Sequence, residues 1–152
     1  QCMKKRPLDS FESIQFSSWP ALAAELDVSL QEVRDIEQIL KLRPAILKAL
    51  EDRRSEGKIG SPLEAKIILT FKDEKLFDIF ALSHKQLPFI FIVSQVEIKK
   101  DQSLGSDFEI SILSADGSKC SRCWNYSVDV DSVKEYPGIC GRCIEAIKIK
   151  IA

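Results

Sequence analysis

The chain has 152 residues, of which 45% are hydrophobic and 30% charged, and its net charge is −1. Those values are ordinary for a globular chain and exclude a polyanion-binding surface spread over the whole molecule, so any basic patch is local. The length suits one domain, or one domain with a metal-stapled appendage, and the longest apolar run, Leu87–Val93, is too short to span a bilayer.

In chain order, residues 1–20 are polar and irregular, with breaks at Pro7 and Pro20. Lys4, Lys5 and Arg6 are not followed by an apolar stretch, so no secretory signal is expected. The first residue is Gln1 rather than Met, as expected of a piece of a longer protein, and Cys2 is expected to be a free thiol. Trp19 and Pro20 predict the start of a short helix ending near Leu26. Ser29, followed at the third position by Glu32, has the pattern of a capping box. Val33, Ile36, Leu40, Leu47 and Leu50 then recur at helical spacing, and Ile39 and Ile46 widen that stripe. Pro44 is expected to kink this helix or split it, and Gly57 to end it.

Beyond the helix the pattern turns to strands. Lys66–Phe71 is β-rich, Asp73–Leu82 predicts a short amphipathic helix, Leu87–Ile98 reads as a strand, and Phe108–Leu113 alternates as another. Residues 99–107 are expected to form a hairpin loop between those last two strands. Together these elements define an α+β fold, with Ala115-Asp116-Gly117-Ser118 leading into a cysteine-rich tail.

Cys120-Ser-Arg-Cys123 and Cys140-Gly-Arg-Cys143 form that tail, with residues 124–139 between them. Two thiolates at i and i+3 on a tight turn can bind one metal ion from the same side. A second pair at this distance closes a tetrahedral four-sulfur site, with room for a small β-hairpin between. Four thiolates indicate zinc first and rubredoxin-type iron second. The site is expected to be structural, because four cysteines leave no position open for water or substrate. Paired disulfides are the alternative, and they belong to small secreted domains.

The rest of the chain offers little catalytic chemistry. The single histidine, His84, follows a predicted helix and is expected to be an exposed turn residue. There is no Gly-rich phosphate loop and no Gly-x-Ser-x-Gly elbow, and Asp129 and Asp131 read as solvated turn residues. The residues flanking the cysteines are more suggestive. Lys119, Arg122 and Arg142 sit on or beside the two knuckles, with Trp124 and Tyr126 just after the first. Arginines pair with phosphates and rings stack on unpaired bases, which makes these five residues candidate RNA contacts. The competing expectation for Trp124 is that it packs over the metal as the module's small core.

Lys119-Cys-Ser-Arg-Cys-Trp-Asn-Tyr126, Asp129-Val130 and Tyr136-Pro-Gly-Ile-Cys-Gly-Arg-Cys143 resemble the C-terminal zinc module of bacterial-type and organellar isoleucyl-tRNA synthetases. Ser13–Pro20, Leu42-Arg43, Ala49–Glu51, Arg53 and Lys58–Ala65 resemble, in the same order, the end of that family's anticodon-binding domain and the turn into the following strand. The resemblance covers residues 13–145. It implies that residues 1–60 are the last helices of the anticodon-binding domain, 61–115 a small α+β junction domain, and 116–152 the four-cysteine zinc module. It also implies one structural Zn2+ on Cys120, Cys123, Cys140 and Cys143. The implied partners are tRNA(Ile) and the ATP-dependent catalytic core of the same synthetase, with no membrane partner. That core is absent from these residues, so the chain is expected to be inactive alone. The expected location is bacterial cytoplasm, or a chloroplast or mitochondrion in a eukaryote. Asn125 departs from the family, standing where a histidine is common, and so does Pro44, inside a helix the family keeps continuous. Two other readings are a DNA-binding finger of the formamidopyrimidine-DNA glycosylase type and a zinc-stapled protein-interaction module.

Overall fold

A computed structural model describes residues 29–148. The short helix expected at residues 19–26 lies outside them.

Helix α1 runs over Leu30–Ser55 as one 26-residue element. Its start follows the sequence rule, since the Ser29 side chain accepts from the Glu32 N–H while the Glu32 carboxylate accepts from the Ser29 N–H. Its end is a Schellman arrangement: Gly57, at φ 71°, donates to the Arg54 carbonyl and Lys58 to the Arg53 carbonyl. Pro44 does not divide the helix. It lies on an exposed side, where water can meet the Leu40 carbonyl that lacks a partner N–H.

The buried face of α1 is one edge of the predicted stripe, the row that Ile39 and Ile46 add to Leu50. Ile39, Ile46 and Leu50 are buried, whereas Val33, Ile36, Leu40 and Leu47 are between 38% and 50% exposed. Periodicity identifies two adjacent apolar rows, and packing against the sheet selects the row at 39, 46 and 50.

A single 3-10 turn at Pro62–Glu64 leads into β1 (Ala65–Phe71). α2 (Glu74–Leu82) follows, capped by the Asp73 carboxylate accepting from the Leu76 N–H. The segment expected as one strand over residues 87–98 is instead helix α3 (Leu87–Phe91) followed by β2 (Gln95–Lys100). Pro88 sits in the first turn of α3, where its missing N–H costs nothing, and Ile92 ends the helix in a left-handed conformation at φ 58°. His84 is exposed, with Nε2 2.9 Å from the Val96 carbonyl oxygen.

β2 lies parallel to β1, and β3 (Phe108–Ser114) lies antiparallel on its other side, giving the order β2-β1-β3. Residues 101–107 are therefore not a hairpin loop, because β2 and β3 do not pair. They cross the end of β1, where Lys72 N–H donates to the Asp107 carbonyl and Asp101 N–H to that of Phe71. The register lines up Val96, Ile67 and Ile112 across the sheet, then Ile98, Leu69 and Ile110. These rows, with Phe71 stacked on Phe80 at 4.7 Å, form the floor on which the helices pack. The opposite face carries Lys66, Glu97 and Lys99 in ion pairs.

Ile39, Ile46 and Leu50 belong to the same hydrophobic cluster as the sheet and α3. The boundary expected near residue 60 therefore coincides with no break in packing. A second, separate cluster is built around the cysteines. Among the described residues no helix is long and apolar enough to cross a membrane.

The buried row on α1 can be checked by urea unfolding. Ile46→Ala should lose about 2–5 kcal/mol, while Leu47→Ala, one residue on, should change stability by less than about 1 kcal/mol.

Candidate metal centre

The cysteine module opens with a two-residue ribbon, β4 (Ser118–Lys119) paired with β5 (Tyr126–Ser127) across the first knuckle. It closes with α4 (Gly141–Lys148), which begins inside the second knuckle. Gly117, at φ 86°, makes the ribbon possible, because a Cβ there would lie 2.3 Å from the Ser127 carbonyl oxygen.

Backbone geometry brings the four sulfurs together. Cys120 N–H donates to the Asn125 carbonyl and Trp124 N–H to that of Cys120, which closes the first knuckle. Cys143 N–H donates to the Cys140 carbonyl in the second. Two acids hold the knuckles in place. Asp129 accepts from the Gly141 N–H at 3.0 Å and from Ser127 Oγ, and Asp131 accepts from the Gly138 N–H. Both lie in turns, as the sequence reading has them, and Asp131 is exposed, but neither is merely solvated. The structure makes them caps, and nothing in the local sequence marks them as such, since their partners lie seven and twelve positions away.

Cys120, Cys140 and Cys143 are buried and Cys123 half-buried, and all four are free. Their sulfurs lie within 4.8 Å of one another, with Cys123 and Cys140 at 3.8 Å. A disulfide needs about 2.05 Å. A tetrahedron with metal–sulfur bonds of about 2.3 Å puts its sulfurs about 3.8 Å apart, so the donor set fits zinc.

Electrostatics supports that fit. Burial works against a Cys120 thiolate, but the converging N–H groups of Cys123, Cys140 and Arg122 more than offset it and bring the pKa down. Burial pushes Cys140 up, aided by the neighbouring sulfurs of Cys120, Cys143 and Cys123. One thiolate is thus readily formed while Cys140 resists ionisation, a conflict that a dication at the centre relieves. When bound, the metal supplies that charge and cross-links the two knuckles. With all four donors on cysteine, no open coordination position remains.

Of the five flanking candidates, Trp124 is not the module's core. It is 62% exposed, held at φ 66° on the end of the first knuckle, and Lys119 Nζ lies 5.7 Å from its ring centroid. The cluster under the knuckles consists of the cysteines themselves with Val130 and Ile139, and Trp124 is not part of it. Arg122 is exposed. Tyr126 is half-buried, its N–H bound to Ser94 Oγ at 2.7 Å. Arg142, on the second knuckle, has its guanidinium over the Phe89 ring.

A chain of this kind is defined by a small α+β body and a four-cysteine zinc module. Residues 117–146 match the family described as "Zinc finger found in FPG and IleRS". Among curated proteins, the chain is 32% identical to an isoleucine--tRNA ligase from Thermotoga maritima over 141 residues, covering 91% of the chain and 15% of that protein. It is 35% identical to the isoleucine--tRNA ligase of Caldanaerobacter subterraneus subsp. tengcongensis over 155 residues, covering 96% of the chain and 16% of the relative. To that of Gloeobacter violaceus it is 42% identical over 113 residues, covering 72% and 12%. The chain belongs to the isoleucine--tRNA ligase family, as a C-terminal portion carrying its structural zinc site. It spans about 15% of the length of the first of these relatives.

Protein purified under reducing conditions should contain one zinc per chain by elemental analysis. Chelation should open residues 117–146 to protease while the α+β body stays resistant, since folding of such modules is coupled to the metal. Cys140→Ser should loosen the module and weaken metal retention. Acidification should also release zinc, because protons compete for thiolate ligands as the pH falls.

Proposed function

We propose that this chain is the tRNA-binding C-terminal region of an isoleucine--tRNA ligase, supporting ATP-dependent charging of tRNA(Ile) by a catalytic core outside these residues. The observation that carries the reading is Trp124, an exposed indole fixed on a metal-stapled knuckle with Lys119 against its ring. Exposing a large ring sacrifices burial energy, and a rigid ring beside cations suits stacking on an unpaired base. Arg122, exposed on the same knuckle, would meet a phosphate, and Tyr126 and Arg142 are the remaining candidate contacts. The family relationship supports tRNA as the nucleic acid, since the relatives are isoleucine--tRNA ligases.

The matched zinc-finger family also includes FPG proteins, which makes duplex DNA the competing ligand. Binding of the purified chain to tRNA with the isoleucine anticodon, to an unrelated tRNA and to duplex DNA separates the two. The proposal requires the first to be preferred, and equal or tighter binding to duplex DNA would end it.

Trp124→Ala should cost about 1–3 kcal/mol of tRNA binding while the zinc content stays at one per chain. Arg122→Ala should flatten the salt dependence by about 0.7–0.9 in log–log slope if it meets a phosphate. Both are read from binding isotherms at several salt concentrations.

The chain by itself should neither activate isoleucine nor charge tRNA. Isoleucine-dependent pyrophosphate exchange by the 152-residue chain would contradict this.

A further inference from the structure

The order β2-β1-β3 makes β3 an edge, with no strand on its outer side among the described residues. The hydrogen bonds at its two ends decide which backbone groups face that side. Ala115 N–H donates to the Glu64 carbonyl and Lys72 N–H to that of Asp107. In an antiparallel pair the bonded residues alternate, so Glu109, Ser111 and Leu113 turn their backbone groups toward β1. Those of Phe108, Ile110, Ile112 and Ser114 point outward. The Phe108 carbonyl accepts from Ser106 Oγ. Among the described residues no hydrogen bond reaches the outer N–H groups of Ile110, Ile112 and Ser114.

Open edges accept any strand that meets them, and they are normally blunted by lysine, proline or a bulge. The other edge strand, β2, ends in Lys99 and Lys100. β3 has none of these devices. It pairs with β1 through seven residues in unbroken register, and Glu109 is its one charge. A cavity of about 380 Å³ lies between the end of α1 and the end of this edge, lined by Arg53, Lys58, Ile59, Ile112, Leu113 and Ser114. Its two cations are already engaged, since Arg53 and Lys58 both pair with Glu56. What stays open is the apolar part, including Leu113 at 50% exposure. The cavity suits an apolar side chain better than an anion.

A strand laid along β3 would put alternate side chains on the α1 side, beside Ile110 and Ile112, and on the polar side, beside Glu109 and Ser111. Its sequence should alternate in the same way. Ser13-Ile14-Gln15-Phe16-Ser17, outside the described residues, has that alternation, and Pro20 follows closely enough to end a strand. Residues 18–28 connect it to the cap of α1 and reach about 40 Å when extended. That is about the length of the helix itself, so the segment can return to the sheet.

We propose that residues 13–17 add to the free edge of β3 as a fourth strand, with Ile14 and Phe16 on the α1 side and one of them in the cavity beside Ile59 and Leu113. The pairing satisfies the outer backbone groups of Ile110, Ile112 and Ser114, and it fastens the chain ahead of α1 to the sheet that α1 covers. It is independent of tRNA binding, so either can fail without the other.

Residue-resolved amide hydrogen exchange on the zinc-loaded full chain tests this. The amides of Ile110 and Ile112 should exchange at least about tenfold more slowly in the parent than in the double variant Ile14→Ser, Phe16→Ser. Those of Ser111 and Leu113, bonded to β1, should exchange alike in both, which also shows that the sheet has stayed folded. Successive N–H groups of a strand point to opposite sides, so only one of the single variants Ile14→Pro and Gln15→Pro removes a bond to β3. That one should lose the protection while the other keeps more of it. Equal exchange at Ile110 and Ile112 in the parent and the double variant overturns the proposal, as do equal effects of the two prolines. Protection that rises with protein concentration also overturns it, because a second copy of the chain then covers the edge.

Discussion

Four thiols converge on one point, and they cannot all ionise there unless a cation joins them. That constraint organises the last part of the chain. N–H groups turned toward Cys120 favour its thiolate, while burial and neighbouring sulfurs oppose that of Cys140, so the geometry is prepared for a dication that completes it. The supports are matched to this task. Asp129 and Asp131 fix the approach to the second knuckle, and Gly117 permits the close crossing that starts the ribbon. Because the centre is filled by sulfur, the module has almost no conventional hydrophobic core, and its one tryptophan ring is left at the surface. An indole held outward by a metal-stapled turn is preorganised, which lowers the ordering cost of contacting a partner.

The module is not an independent bead on a linker. Asp116, immediately before it, bonds to Gln95 and pairs with Lys66, placing the entrance of the module on the edge formed by β1 and β2. Ser94 lies at the crossing point, linking the carbonyl of Leu63 to the N–H of Tyr126. The turn between α3 and β2 is thus where body and module are joined. On the other side of the body, Arg43 Nε donates to the Ile90 carbonyl, so α1 reaches α3 as well. The five-residue α3 and the turn after it thus touch the long helix, the sheet and the metal module in turn.

The relationship to isoleucine--tRNA ligases gives these features a setting. The chain spans a small share of those relatives. The exposed apolar row on α1, from Val33 through Leu47, fits a piece whose surfaces are not all designed to face water.

Several features could be read from the sequence alone. The capping box at Ser29 and Glu32 and the stop at Gly57 depend on residues three or four apart, so local chemistry decides them. The same is true of the Asp73 cap, while β1 announces itself by its β-rich composition and β3 by alternation. The metal ligands were legible because Cys-x-x-Cys spacing is itself a geometric statement about a turn. What required the tertiary structure was every choice between locally equivalent options. Two apolar rows run along α1, and only the sheet decides that Ile39, Ile46 and Leu50 go inside. The apolar run after Leu87 satisfies both strand and buried-helix patterns, and Pro88 with Ile92 resolves it into a helix followed by a strand. Strand order is invisible to a loop's composition, so residues 101–107 have the look of a hairpin although β1 lies between the strands they join. Trp124 and Arg142 are the sharpest cases. Both flank a cysteine ligand, yet the Trp124 ring is left exposed while the Arg142 guanidinium lies over Phe89, a residue of α3 far away in the chain that no local pattern announces.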